Sequence, residues 1–464
     1  MKKYLFTFAL TATAFLGALG ATPGGGIDAA MLQRMRNNYK PTAADKAIRN
    51  ALNSTDLDKL ALNSEAVLVD DNFSNKVPSR GITDQKSSGR CWLFTGLNVL
   101  RSQMMLQNDL DELHLSQAYN FFYDQLEKSN LFLQAIIDTS DKPMDDRTVD
   151  WLFRNPLSDG GQYTGLSDNI SKYGVVPAEA MPETWTANHT SKVNRLLSLK
   201  LREDALELRE MKKKNAKPAA IQQRKEQMMQ GVYQVLARTI GNPPTEFTWT
   251  RKNSKGKVVD TRTYTPQQFY KEFAGNDLKN DYIMVMNDPT RPYWKLYQID
   301  YDRHTYDGEN WTYINLPIEN IKEMAIASIK DSTMMYFSCD VGKFLDRQRG
   351  VMDPANYDYE SLLGINFGMN KADRIRTYGS ASSHAMTLMA VDLDKDGKPT
   401  KWMVENSWGQ GPNNGHLIMT DKWFDEYMFR LVVNKKYASE EILNVLKQKP
   451  TTLPAWDPMF APED

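Results

Sequence analysis

Two cysteines, Cys91 and Cys339, are all that a chain of 464 residues contains. A disulfide framework and a multi-cysteine zinc or iron–sulfur centre are therefore excluded, and at most one bridge could form. Charge of one sign is also lacking: 57 lysines and arginines face 58 aspartates and glutamates, a net charge of −1. That removes the general electrostatic case for nucleic acid or an anionic membrane as the main partner and leaves only a local patch. With 26 glycines, 21 prolines and 25% charged residues the composition is that of an ordinary globular protein, against disordered, collagen-like and coiled-coil classes. Histidine is sparse, with only His114, His189, His304, His384 and His416. After position 20 no apolar run is long enough to span a bilayer, so no membrane-held mature part is expected.

What is present begins at the N-terminus. Met1-Lys2-Lys3 is basic, positions 4–20 are almost wholly apolar, and Ala18-Leu19-Gly20-Ala21 offers the small residues a signal peptidase cuts at. The pattern predicts a signal peptide over 1–21 and a protein exported to the periplasm or beyond. A buried helix or an uncleaved anchor would need a basic flank or an unbroken helix, and Pro23-Gly24-Gly25-Gly26 supplies neither. A polar arm follows over 22–64. From 65 to 194 the pattern is helical, 195–280 reads as a charged helical block, 281–449 is rich in short apolar strands, and 450–464 is a tail. Helices first and strands second predict an α+β fold with a cleft between the halves. Lys212-Lys213-Lys214 reads most simply as a solvated face, with an acidic or nucleic-acid partner as the alternative.

Cys91 is the residue with chemistry to explain. Leu93, Leu97, Leu100 and Met104 recur on one helical face, with Ser87 and Ser88 available as caps, so Cys91 falls in a first helical turn. The positive end of the helix dipole favours thiolate over thiol, although position alone equally suits a small buried hydrophobe. Gln85, six positions earlier, could join the Cys91 backbone N–H as a pair of donors to an oxyanion. His384 opens a strand, and Asn406-Ser407-Trp408-Gly409 ends another 22 positions later. An asparagine amide can fix an imidazole's tautomer and orientation without taking its proton, and Trp408 could cover that bond. His114 and His416 read as solvated or internally satisfied.

Gln85, Gly89-Arg90-Cys91-Trp92, His384-Ala385-Met386 and Asn406-Ser407-Trp408-Gly409, in this order, resemble the Gln, Cys, His, Asn constellation of papain-type enzymes. With Asn155-Pro156-Leu157-Ser158-Asp159-Gly160-Gly161-Gln162-Tyr163, Asn287-Asp288-Pro289, Phe337-Ser338-Cys339-Asp340-Val341-Gly342-Lys343 and Leu453-Pro454-Ala455-Trp456-Asp457-Pro458-Met459, the chain is similar to the bleomycin hydrolase and aminopeptidase C family from about residue 65 to its end. Cys91 and His384 lie 293 positions apart, about twice the roughly 130–150 of papain-like enzymes, so the excess is insertion.

The resemblance implies a papain-like α+β fold: a helical half at 65–194, an antiparallel β-barrel half at 281–449, a helical insertion at 195–280 serving oligomerisation, and a tail at 450–464 in the cleft. It implies Cys91 as nucleophile, His384 as general base and then acid, Asn406 as orienter and Gln85 as oxyanion donor. Gly160 and Gly161 would bond an extended substrate through their backbones, since glycine lets a chain approach closely. Trp408 and Asp464 complete the expected substrate-binding set, the tail carboxylate pairing with a free α-amino group and excluding longer chains. The implied activity is that of a cysteine aminopeptidase acting on peptides with a free N-terminus, assembled as a homohexamer, with no cofactor and no metal; nucleic acid is not an expected partner. Ser88 stands where papain-like enzymes often carry a disulfide cysteine, and Pro462, Glu463 and Asp464 leave open which tail carboxylate meets the amine.

The competing readings are an endopeptidase with a disordered tail, an oligomeric nucleic-acid-binding shell with an inert cleft, and a regulated state in which Cys91 and Cys339 are oxidised together. Asp392-Leu393-Asp394-Lys395-Asp396-Gly397 imitates the start of a calcium loop, but its twelfth position is Met403, so it is expected to be a hairpin turn.

Overall fold

The computed structural model describes residues 25–66 and 69–460; the expected signal segment at 1–21 and the chain end with Asp464 lie outside them. The polar arm folds into three short helices, α1 (Ala29–Asn38), α2 (Ala43–Leu52) and α3 (Leu57–Ala61). Thr42 and Asp45 form a reciprocal capping box at the start of α2, which satisfies two first-turn donors. These helices and the short helix Tyr359–Leu363 make one compact unit, and Asn63–Asp358 with the residues from Ile365 onward make the other. Within the first unit Tyr359 donates its hydroxyl to Asp58 Oδ1 at 2.9 Å.

In the second unit a helical layer is built from α4 (Cys91–Gln107), α5 (Gln117–Asp138), α6 (Arg147–Arg154), α7 (Tyr163–Tyr173), α8 (Ser191–Lys213) and α9 (Pro218–Thr239). Ser116 caps α5 by accepting from the Tyr119 N–H at 3.1 Å. The charged stretch from 191 to 239 is a helical hairpin, α8 and α9 packing on each other and on α5. Lys212, Lys213 and Lys214 are exposed at its tip, where they face the negative end of the α8 dipole. The block at 195–280 is not wholly helical: it also holds a two-stranded hairpin, β2 (Phe247–Lys252) with β3 (Val258–Tyr264). Two threonine pairs face each other across its exposed side, the polar half of a period-two pattern that charge counting hides.

The strands β1 (Asn75–Lys76), β4 (Tyr282–Met286), β5 (Lys295–Ile299), β6 (Thr312–Asn315), β7 (Met335–Cys339), β8 (Leu345–Asp346), β9 (Val351–Met352), β10 (His384–Leu393), β11 (Pro399–Glu405), β12 (His416–Thr420), β13 (Met428–Asn434) and β14 (Thr451–Leu453) form, among the described residues, one twelve-stranded sheet. Its order is β14-β5-β6-β4-β13-β7-β10-β11-β12-β9-β8, with β1 beside β10. The expected antiparallel half is antiparallel through β4-β13-β7-β10-β11-β12 but mixed beyond, since β14 on β5, β6 on β4 and β9 on β12 pair parallel. Those parallel partners come from long connections, which hairpin signals in a sequence do not reveal. At the centre, the first eight residues of β10 are all buried. They read as a continuous apolar run because α4 and the helix Ile318–Lys330 both lie on this strand. No helix among the described residues is long and apolar enough to cross a membrane.

Candidate active site

The β10–β11 hairpin does the first part of the work. Thr387 pairs with Glu405, so the antiparallel register returns Asn406 to the side of His384. The turn at its far end is closed by Asp394, whose Oδ1 accepts from the N–H groups of Asp396 and Lys398, each at 2.9 Å, as expected of a hairpin turn. At the near end His384 Nε2 lies 2.8 Å from Asn406 Oδ1. The same oxygen accepts the Ser407 N–H at 2.8 Å, which fixes the amide's orientation and makes Nε2 the protonated nitrogen. Nδ1 is then the nitrogen left for proton transfer. The Trp408 ring, 36% exposed, stands 4.8 Å from the imidazole centre at an angle of 30°, and the Arg347 guanidinium lies 5.0 Å from the indole. His384 and Asn406 are themselves buried.

The nucleophile's helix starts two residues later than a Ser88 cap would give. Cys91 is the first residue of α4 and Arg90 holds the N-cap position with no side-chain cap bond. Ser88 is used elsewhere: its Oγ accepts from Arg90 Nε at 3.0 Å and donates to the Gln85 carbonyl at 2.6 Å, a hydrogen-bonded staple at the position where a disulfide was missing. Arg90 is fully buried and forms a two-point pair with Glu183 at 3.1 and 2.8 Å. Helix α4 is buried on nearly every side rather than on one face; its polar residues find partners in Asn98–Thr83, Arg101–Gly81 and Gln103–Tyr282 bonds of 2.9, 2.8 and 2.8 Å. It packs on β10, the strand that carries His384, and on β7. Cys91 and Cys339 are both buried, and no disulfide joins them. Cys339 instead sits opposite His384 in the β7–β10 register.

Gln85 is tied to the same end of the sheet. Its N–H donates to the Ser407 carbonyl at 2.8 Å, the Ser407 hydroxyl donates to its Oε1 at 2.6 Å, and its Nε2 donates to Ser88 O at 2.7 Å. An amide nitrogen carries two protons, so one donor remains for a developing oxyanion beside the start of α4.

The two glycines divide. Gly160 already donates its N–H to Ser158 Oγ at 3.0 Å, and its carbonyl accepts from Lys128 Nζ at 2.6 Å. A Cβ on Gly161 would lie 2.3 Å from His304 Cε1 and 2.8 Å from Trp92 Cε2, so packing as well as approach requires glycine there. Beneath them is a charged bed that the sequence did not disclose. His304 Nδ1 lies 2.6 Å from Asp124 Oδ1, and Lys128 Nζ 2.9 Å from Asp124 Oδ2. Burial opposes the charge on Asp124, but the Lys128 ammonium and the His304 ring outweigh it and hold its carboxyl below the usual range. Burial and the Lys128 charge push His304 down, while the Asp124 carboxylate bonded to it pulls the other way. Beside the glycines a cavity of about 300 Å³ is lined by Lys128, Trp151, Gly161, His304 and Ala455. Ala455 belongs to the tail, which is pinned as far as Met459. Asp300 N–H donates to Leu453 O at 2.9 Å, Arg291 Nη2 meets both Asp457 oxygens at 2.9 and 2.7 Å, and Met459 is buried.

The model of the Peptidase C1-like family matches residues 26–460. The chain belongs to that family. Human bleomycin hydrolase is 42% identical over 402 residues, covering 84% of this chain and 88% of the relative. Aminopeptidase C of Lactobacillus delbrueckii subsp. lactis is 36% identical over 437 residues, covering 93% and 97%. The crystal structure of pepw from Lactobacillus rhamnosis HN001 superposes with a TM-score of 0.91 at 38% identity, covering 94% of this chain and 99% of that one. The Peptidase C1-like chain described here thus has the papain-like α+β fold, and it is a papain-like cysteine peptidase.

Proposed function

We propose that this peptidase is an aminopeptidase that removes N-terminal residues from short peptides through a thioester. The names of the relatives, aminopeptidase C and bleomycin hydrolase, support that reading, and the His384–Asn406 bond carries it. With Nε2–H held by Asn406, Nδ1 takes the proton of Cys91. The thiolate then attacks the scissile carbonyl, its oxygen gathering charge against Gln85 Nε2 and the amide at the start of α4. His384 returns the proton to the leaving amine, and water releases the acyl group by the reverse sequence. Asn406 cannot accept the proton, so it orients the ring without quenching it.

The free N-terminus is recognised at the tail: its pinned course to Met459 and the place of Ala455 in the cavity wall beside Gly161 support Asp464 as the carboxylate that pairs with the substrate amine. The chain is exported through its leader to the periplasm or outside and assembles as a homohexamer. Turnover of amino-acid amides against their N-acetyl forms tests the specificity: amides are cleaved and blocked forms are not. Cys91→Ala lowers kcat by roughly three decades or more while binding persists. Full activity of that variant, or equal cleavage of blocked peptides, overturns the assignment. Light scattering reads the hexamer, and N-terminal sequencing of the exported protein reads the removal of the leader.

A further inference from the structure

Asp159 precedes the two glycines, and two of its bonds lead to the nucleophile's turn. Its Oδ2 accepts the Gly89 N–H at 2.8 Å, two residues before Cys91. Its main-chain carbonyl accepts Trp92 Nε1–H at 2.9 Å, one residue after Cys91. Thr190, the residue at the N-cap of α8, donates its hydroxyl to the same Oδ2. The fit is close: a Cβ on Gly89 would lie 2.6 Å from Asp159 Oδ1, so glycine at 89 is what lets the carboxylate reach the turn.

The backbone on either side of Asp159 is itself clamped. Lys128 Nζ donates to the carbonyls of Ser158 and Gly160 at 3.2 and 2.6 Å, and Gln125 Nε2 donates to Ser158 O at 2.9 Å. Lys128 rests 5.3 Å from the Trp92 ring centre, while Trp92 meets His304 edge-on at 4.9 Å. A buried bed of Asp124, Lys128 and His304 thus fixes residues 158–160, and the one side chain projecting from that segment to the start of α4 is a carboxylate.

We infer that Asp159 is a positioning residue for Cys91: it transmits the rigidity of the charged bed to the 89–92 turn and so sets where the thiolate and the amide at the helix start stand relative to His384 and Gln85. The inference rests on the assignment of Cys91 as nucleophile. It also carries a charge consequence. A carboxylate at the N-terminus of α4 opposes ionisation of the thiol, so its geometry helps the reaction while its charge raises the pH at which the thiolate forms. The other charged groups beside this turn are Arg90 with Glu183 and Lys128 with Asp124, to which His304 is also bonded, and His384 is the titratable ring that the proposed mechanism sets against the thiol.

Charge and geometry separate in two variants. Asp159→Asn keeps an acceptor for Gly89 and removes the charge; Asp159→Ala removes both. Each is followed by kcat, KM and the pH dependence of Cys91 alkylation by iodoacetamide, read by mass spectrometry. The expected result is that Asp159→Asn retains kcat within a few-fold and shifts the acid limb of alkylation to lower pH, whereas Asp159→Ala loses about a hundredfold in kcat with little change in KM. Gly89→Ala, which drives a methyl into the carboxylate, reproduces the kcat loss and adds little further loss in the Asp159→Ala background. A purely structural role would lower thermal stability in all three without moving the alkylation limb; that outcome, or unchanged kcat in Asp159→Ala, overturns the proposal. If alkylation of Cys91 in the unaltered enzyme leaves activity intact, it is the nucleophile assignment that fails instead, so the two failures are told apart.

Discussion

At the scale of single residues, His384, Asn406 and Gln85 are held by bonds to one another and to Ser407. Gln85 and Asn406 meet through Ser407, which bonds the first through its hydroxyl and the second through its N–H. Removing the donor in Gln85→Ala should therefore cost about 10²–10³-fold in kcat, the usual loss of one oxyanion donor, with KM little changed; single-turnover acylation rates measure it, and a loss confined to KM would mean that Gln85 contacts only the ground state. Cys91, His384, Asn406 and Gln85 were legible because their residue types announce a chemistry and their order along the chain has a known parallel. Asp159 stood in the same quoted stretch as Gly160 and Gly161 but drew no notice, because a carboxylate that works through a backbone N–H seventy residues away has no local signature. His304 and Lys128 were hidden for the same reason: their partner is Asp124, on a helix far from His304 in sequence. Ser88, in sequence a cap candidate and an absent cysteine, instead bonds its near neighbours Gln85 and Arg90.

Elements show where pattern reading succeeds. The strand that His384 opens and the strand that Asn406 follows both form, since burial along them leaves little ambiguity. Cys91 does fall in the first turn of α4, but Arg90 rather than a serine holds the N-cap position, Ser88 Oγ being bonded to Arg90 and Gln85, and the hairpin at 247–264 lies hidden within a charged context. One helix start carries a testable charge. Lys371 opens the short helix Lys371–Arg376 and donates to Asn287 Oδ1, Met428 O and Asp425 O at 2.8, 2.6 and 3.0 Å. Burial pushes its ammonium down to about 7, against the pull of Glu426 and Asp425. The unfolded chain then binds more protons than the native one between about pH 7 and the ordinary lysine value, so stability rises with pH across that window, by at most about 1.4 kcal/mol per unit. Lys371→Met should flatten that rise in urea titrations between pH 7 and 10 and lower stability throughout, since three buried oxygens lose their donor. An unaltered slope would show that the ammonium keeps its ordinary value.

For the molecule as a whole, the catalytic residues come from distant stretches of one chain, and the tail joins them by becoming part of the sheet. Strand β14 lies parallel on β5, Asp457 is held by Arg291, and Trp456 stacks under the Arg147 guanidinium at 4.3 Å. Deleting residues 460–464 should leave the fold intact, because the anchors among the described tail residues lie at or before Met459, and should raise cleavage of N-acetylated peptides while weakening the demand for a free amine. If the truncated enzyme still rejects blocked peptides, the tail does not set the specificity. The α+β class was readable from the order of helical and stranded patterns; the mixed sheet was not, because β14, β6 and β9 join it over long connections.

That pinned tail makes the carboxyl end an unsuitable place for any fusion. A purification handle or fluorescent reporter attached after Asp464 would extend a tail whose Ala455 lines the cavity wall and would turn the terminal carboxylate into a peptide bond. If the tail carboxylate meets the substrate amine as proposed, a carboxyl-terminal handle should leave a preparation sluggish toward free-amine substrates until a specific protease trims it back to Asp464.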